Sequence, residues 1–453
     1  MADAELEIDD ISPTGDGVGR LDGRRVLVPF TIPGERVRVR LRAEAAQETT
    51  TATLLSVLRA SPSRVTPQCR HFGPDAAPGV GPCGGCSWQH IAYPEQLRIK
   101  TRIVDRLVRD AVRAAPAARP MLAATPADAP WGYRQKVHFV FGATGTSRLL
   151  MGHYVRGSRR IIPVEECPVH DPRGNALAFR ARDRYARARV SAEPGRGRGV
   201  LSSLAIRVGH NTPEMMATLV VTDTADKRLR RATHDVMDAE PDVAFNLNLH
   251  PEPDGFIFGR ETRRLRGAER MREEVHGASF LISPTAFFQT NVAAAELLVD
   301  LVLAAVPDTS RVLDLYAGAG LFAIPLARAG HTVTAVEENR AAVADGIASA
   351  RLNRLSAGTC QFIARQAESA IRSAPPSDVV VLDPPREGCA PSVLEGVFGA
   401  IRPRLAVYVS CNPEALATDL KQITASGYTI RSIQPVDMFP HTAHIEAVAV
   451  VTR

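Results

Sequence analysis

The hydrophobic pattern changes character along the chain. From about Leu6 to Leu58, short apolar runs are punctuated by Gly15, Gly17, Gly19, Asp22-Gly23 and Pro33-Gly34. This predicts short strands joined by tight turns. Within it, Val37-Arg38-Val39-Arg40-Leu41-Arg42 alternates apolar and basic positions. Either one face of such a strand enters a small barrel core while the other shows arginine to solvent, or the run is a solvated edge strand. From Tyr93 to about Val112, the residues Leu97, Ile99, Ile103, Leu107 and Val108 make a rough stripe at helical spacing. Trp131 to about Glu274 is strand-rich and includes Leu204-Ala205-Ile206-Arg207-Val208 and Ala217-Thr218-Leu219-Val220-Val221. An arginine-dense helix is expected between Arg180 and Arg189, ahead of Gly195-Arg196-Gly197-Arg198-Gly199.

From about Val292 helix and strand patterns alternate, which implies a mostly parallel sheet. Strands are expected at 311–315, 332–336, 361–364, 378–382, 405–409, 430–434 and 447–451. Apolar strands bounded by turns suit a sheet covered on both faces. The expected division is 1–62, 63–275 and 276–453: an all-β barrel, a strand-rich α+β central part and an α/β domain. The helix at about 93–115 is expected either in the central part or packed on the α/β domain.

Composition narrows the class. The chain has 453 residues, 45% of them apolar and 23% charged, with a net charge of +6. Two or three soluble domains follow, and a basic balance favours a polyanionic partner. Arg36, Arg38, Arg40 and the 180–198 region are candidates for that contact, which should weaken with salt. The first residues are acidic, so no signal peptide is expected. The apolar stretch around Leu297 to Val306 is broken by Asp300 and is too short to span a bilayer. Seven cysteines, an odd number, argue against a disulfide scaffold and for a reducing, cytoplasmic setting. There, thiols serve as metal ligands or nucleophiles.

Four motifs carry chemistry. Val312-Leu313-Asp314-Leu315 runs into Tyr316-Ala317-Gly318-Ala319-Gly320. The glycines allow a tight turn and close approach of a ligand. Glu337, ending the next strand, can accept ribose hydroxyls. The loop alone fits a dinucleotide, S-adenosylmethionine or plain tight packing. Asp383-Pro384-Pro385-Arg386 follows an apolar strand, which puts Asp383 at the carboxyl end of the sheet. Ser410-Cys411-Asn412-Pro413 places a thiol between a strand and a helix start, where its pKa can fall. Glu446 lies in His444-Ile445-Glu446. A thiolate and a carboxylate are what C5 methylation of uracil needs. The thiolate adds to C6, C5 then attacks a sulfonium methyl, and a base removes the C5 proton. A base stacked in folded RNA must be flipped out to be reached.

Cys69, Cys83, Cys86 and Cys167 suit zinc or an iron–sulfur cluster, with His71, His90 and His170 as alternative ligands. A redox C-x-x-C is a third reading of Cys83 and Cys86.

Taken together, these motifs resemble the RNA uracil-5 methyltransferases that carry an N-terminal TRAM domain and a 4Fe–4S cluster, among them the 23S ribosomal RNA enzymes. Ser12 to Gly19 and Pro33 to Val37 look like TRAM, an OB-like RNA-binding barrel. Ser283-Pro284-Thr285-Ala286-Phe287-Phe288-Gln289-Thr290-Asn291 looks like the segment before the family's Rossmann-like class I S-adenosylmethionine-dependent fold. The resemblance implies that Gln289, Tyr316, Glu337 and Asp383 contact S-adenosylmethionine or the target base. Gln366, Gly318 and Gly320 join the cofactor set. It implies Cys411 as nucleophile, Glu446 as proton acceptor, and Cys69, Cys83, Cys86 and Cys167 around a 4Fe–4S cluster that orders RNA. The partner would be structured RNA with a flipped uridine, ribosomal rather than transfer RNA, with no membrane and no obligate protein partner. Two features depart from the family: thirteen residues separate Cys69 from Cys83, more than usual, and Leu321 replaces a polar residue. Competing readings are a transfer RNA uracil-5 enzyme, a cytosine or amino-group methyltransferase, and an RNA-binding factor with an inactive domain.

Overall fold

The computed structural model describes residues 3–41, 49–74, 81–126, 129–143, 149–192, 199–252 and 256–453. Five strands, β1 (Asp3–Ile11), β2 (Gly17–Leu21), β3 (Arg24–Val28), β4 (Arg36–Leu41) and β5 (Thr49–Arg59), close into a barrel in the order β1-β2-β3-β5-β4. Leu6, Ile8, Val26, Val28, Val37, Val39 and Ala52 fill it. The alternation in β4 therefore works as read. Its arginines do not. The β1–β4 register sets Asp3 opposite Arg40, Glu5 opposite Arg38 and Glu7 opposite Arg36. Arg40 pairs with Asp3 at 2.8 Å, and Arg38 and Arg36 both pair with Glu5, at 3.0 and 3.1 Å. The expected cationic row is instead a charge-compensated ladder of exposed pairs.

The helix α1 (Tyr93–Ala111) starts with Pro94 in its first turn. It is followed by the two-residue strand β6 (Leu122–Ala123). The central part adds β7 (Lys136–Ala143), β8 (Leu149–Tyr154), β9 (Ile161–Pro163), α2 (Pro172–Arg187), β10 (Leu201–Val208), β11 (Met215–Val221), α3 (Lys227–Ala239), β12 (Val243–Leu249) and β13 (Glu261–Arg266). Its sheet runs β13-β12-β11-β10-β7-β8-β9, with Leu177, Tyr185, Leu229 and Val236 of the two helices packed in its core cluster. The arginine-dense helix begins well before Arg180, because Asp171 caps it by accepting from the Arg173 amide and Pro172 opens it. Arg180 pairs with Glu240 and Arg182 with Asp183; Arg196 and Arg198 lie outside the described residues.

β14 (Met271–Val275) and β15 (Ala278–Ile282) form a hairpin that straddles residue 275. Then come α4 (Val292–Ala305), β16 (Arg311–Leu315), α5 (Ala323–Arg328), β17 (Thr332–Glu337), α6 (Arg340–Leu352), β18 (Cys360–Ala364), α7 (Ala367–Ala370), β19 (Val379–Leu382), α8 (Pro391–Leu394), β20 (Leu405–Ser410), α9 (Pro413–Ala425), β21 (Thr429–Asp437) and β22 (Glu446–Thr452). The sheet order is β18-β17-β16-β19-β20-β22-β21-β6. β16 to β20 are mutually parallel, and β22 runs antiparallel between β20 and β21. The strand order reverses at β16, so the ligand crevice falls at the carboxyl ends of β16, β17 and β19.

α1 leaves the central segment and packs on α9 and β21. Ile99, Ile103 and Val108 are buried as the stripe predicts, but so are Gln96 and Lys100, each 0% exposed. Lys100 Nζ donates to Asp437 Oδ1 at 2.6 Å and to the Phe439 carbonyl at 3.1 Å. Tyr93 donates to the other Asp437 oxygen at 2.8 Å. Among the described residues no helix is long and apolar enough to cross a membrane.

Candidate active site

A cavity of about 1000 Å³ opens at the carboxyl ends of the parallel strands. Each strand delivers one group to it: Tyr316 after β16, Glu337 at the end of β17, Gln366 after β18, Asp383 after β19 and Cys411 after β20. Glu446 begins the antiparallel β22, so its end of that strand shares the same edge. Gln289 and Gly318 complete the sequence-derived lining, and Gly320 alone stands behind it.

The glycine loop is built for close approach. Tyr316, Gly318 and Gly320 all have positive φ, at 64°, 55° and 91°. A Cβ on Gly320 would lie 2.6 Å from Phe362, so only glycine fits against β18. A Cβ on Gly318 would meet nothing within 4 Å. The Gly318 amide donates to Glu337 Oε2 at 3.0 Å and the Asn339 amide to Oε1 at 2.7 Å. These two bonds aim the Glu337 carboxylate at the cavity with lone pairs to spare.

Cys411 is half-buried at the foot of α9. The Asn412 side chain caps that helix by accepting from the Glu414 amide, and its Nδ2 donates to the Arg386 carbonyl at 2.9 Å. This joins the Asp-Pro-Pro-Arg loop to the thiol segment. Burial, with Glu446 and Asp383 adding to it and Arg386 opposing, pushes the thiol up to about 11. The expectation of a helix-lowered thiol is therefore reversed in the free protein: two carboxylates and desolvation outweigh the first turn of α9. Burial also raises Asp383 to about 7 and holds Glu446 well above its ordinary range, with Asp383 adding to the latter. The site is a set of acids short of positive charge, suited to a cationic ligand.

A second cavity, of about 560 Å³, is lined by Cys69, Cys83, Cys86 and Cys167, all free thiols. His71, His138, His153 and His170 line it too, and each has a buried ring nitrogen without a partner among the described residues. His90 does not line it; its ring stacks on Phe72. Among the described residues, the trio of possible ligand atoms lying mutually within 4.8 Å is His153, Cys167 and His170. Arg134 also lines the cavity, and its Nε has no partner among the described residues.

Comparison with known proteins follows this geometry. An uncharacterized RNA methyltransferase of Gloeobacter violaceus is 36% identical over 449 residues, covering 97% of this chain and 94% of its own. Another, from Thermosynechococcus vestitus, is 36% identical over 100% of this chain and 98% of its own. Residues 274–453 match the tRNA (uracil-5-)-methyltransferase family, and residues 5–63 match the TRAM domain of tRNA (uracil(54)-C(5))-methyltransferase. The chain belongs to the RNA uracil-5 methyltransferase family. The crystal structure of the Pyrococcus abyssi tRNA (uracil-54, C5)-methyltransferase with S-adenosyl-L-homocysteine aligns with a TM-score of 0.78 and 25% identity, over 99% of this chain and 100% of that one.

As a member of this family, the chain has cavity residues that sequence reasoning did not assign: Phe287, 73% exposed at the rim, Arg386, and Phe439 from the loop before β22. In the sequence Arg386 stands out only as the last residue of the Asp383-Pro384-Pro385-Arg386 motif. Phe439 had no local signal, since its place depends on α1 holding the loop.

Proposed function

We propose that this protein methylates C5 of a uridine in structured RNA, with S-adenosylmethionine as donor. The observation that carries the reading is that Cys411, Asp383 and Glu446 line one cavity with the glycine loop and Glu337. Glu337, Gly318, Tyr316, Gln366 and Gln289 are proposed to hold the donor, whose sulfonium supplies a transferable methyl group. Gly320 shapes the loop behind them.

Cys411 as thiolate adds to C6 of the flipped uracil, forming the S–C6 bond and an enolate. C5 then takes the methyl group, breaking its bond to the sulfonium and leaving a neutral thioether. Glu446 as carboxylate accepts the C5 proton. The electron pair of that C–H bond forms the C5–C6 double bond as the S–C6 bond breaks, returning the thiolate. Positive charge from the donor and from Arg386 favours the thiolate that burial disfavours.

Cys69, Cys83, Cys86 and Cys167 are proposed to hold a 4Fe–4S cluster. Four free thiols lining one cavity of about 560 Å³ support a group that several thiolates ligate together. When bound it would supply a rigid anchor for the segments that carry these cysteines.

Release of tritium from C5-labelled uridine tests the reaction. Release from ribosomal or transfer RNA should require S-adenosylmethionine and vanish in Cys411→Ala. Ribosomal RNA is the substrate that the resemblance of the sequence implies. The full-length likeness to a transfer RNA enzyme supports the second substrate. Cofactor-dependent methylation without tritium release would overturn the C5 assignment.

A further inference from the structure

The side chain of Glu446 accepts no hydrogen bond among the described residues, although it is only 5% exposed. Its aim therefore rests on the backbone that leads into β22. That backbone is gripped at several points; the Tyr133 hydroxyl, for one, donates to the Pro440 carbonyl at 2.9 Å. The Ser87 and Trp88 amides both donate to the His441 carbonyl, at 3.0 and 2.9 Å. The Ala443 amide donates to Ser87 Oγ at 3.2 Å. The His441 amide donates to Gln96 Oε1 at 2.8 Å, and Gln96 Nε2 lies 3.2 Å from His441 Nδ1. The same Nε2 donates to the Trp88 and Ile91 carbonyls, which fixes the amide's orientation. His441 has φ +64°, a conformation that a β-carbon makes unfavourable, and its ring stacks on Trp131 at 3.8 Å. A strained residue persists only where its surroundings over-determine it.

Ser87 follows Cys86 directly. We propose that Ser87 and Gln96 are positioning residues for the proton-removal step, holding the 439–443 loop so that Glu446 faces C5 of the adduct. Through them the cysteine-bearing segment is coupled to the last chemical step and not to the first two. The inference rests on the reaction proposed above.

The coupling has a signature that a general structural role lacks. Addition and methyl transfer depend on Cys411 and the donor site. Proton removal depends on Glu446. If only the latter is misaligned, methylated RNA stays attached to Cys411. The test is a single-turnover reaction of iron-loaded full-length enzyme with RNA and methyl-labelled S-adenosylmethionine. The denaturant-stable labelled protein–RNA adduct is counted against released 5-methyluridine, per iron bound. Glu446→Gln is the reference for trapping. Ser87→Ala should raise the adduct-to-product ratio about three- to tenfold, the loss of one hydrogen bond, and Gln96→Ala should raise it more. Ser87→Thr, which keeps the hydroxyl, should return it to the wild-type value. Ser87 is half-buried, so Ser87→Ala carries the test where Gln96→Ala does not fold. Trapping by Glu446→Gln, with Ser87→Ala at the wild-type ratio or slowed equally in all steps, overturns the positioning role alone. No trapping by Glu446→Gln overturns the assignment of Glu446 and the inference with it.

Discussion

Cys411 shows how a single side chain integrates its neighbours. The local motif, a thiol ahead of a capped helix, argues for a low pKa. Burial and the carboxylates of Glu446 and Asp383 instead carry it to about 11. Neutralising an adjacent anion should stabilise the thiolate, so Asp383→Asn lowers this pKa. At pH 8 the thiolate fraction rises, partly offset because a less basic thiolate is a weaker nucleophile. Iodoacetamide alkylation of Cys411, followed by mass spectrometry, should be about two- to fivefold faster in Asp383→Asn and slower in Arg386→Gln. A slower Asp383→Asn would contradict this charge balance. Cys411 and Asp383 were legible in the sequence because each follows an apolar run. The reversal of the thiol's pKa was not, since it depends on Glu446, brought to Cys411 by strand pairing.

Among elements, the short apolar runs from 311 to 451 all became strands. β16 matches its expected limits, and β21 extends three residues further, to Asp437. Buried parallel strands are written locally, as four or five apolar residues between turn signals. β6 was not legible, because two residues carry no period and its pairing with β21 alone defines it. The buried face of α1 was half legible. Its aliphatic stripe is periodic, but Gln96 and Lys100 read as solvent-facing until their partners arrive from the β21–β22 region. The Lys100–Asp437 pair has both side chains 0% exposed. Breaking it from one side should therefore cost about 3–5 kcal/mol: Lys100→Met leaves a buried carboxylate, and Asp437→Leu a buried ammonium. The double variant should recover much of that loss. Urea denaturation of the four proteins measures the coupling, and additive losses would show that the pair is not a unit.

At the scale of the whole molecule, buried histidines make the fold sensitive to acid. Burial lowers His90 and His441 to about 3 each. Both are neutral in the folded chain and titrate near 6.5 when unfolded. The unfolded state therefore binds more protons between these values. Stability is full above about 6.5 and falls as pH drops toward 3, by about 1.4 kcal/mol per unit for each histidine. The thermal midpoint should fall from pH 7 to pH 5, and His90→Gln should fall less steeply. Equal slopes in calorimetry would contradict the assignment. The basic balance was legible too, but its distribution was not. The arginines of β4 are matched one strand away by acidic residues, because β1 and β4 pair in that register.

The grip of α1 on the β21–β22 region also has a consequence in time. Lys100 and Asp437 are 337 residues apart in sequence. At ribosomal rates of about 5–20 residues per second, Asp437 is made roughly 20–70 s after Lys100. During that interval the nascent helix has no carboxylate to neutralise its ammonium, and α1 stays undocked. The loop that carries Phe439 and leads to Glu446 emerges with that missing partner. Closing the ion pair and assembling the catalytic edge are thus one late event, so a nascent chain bearing only the barrel and central sheet has no means of methylating the RNA it meets.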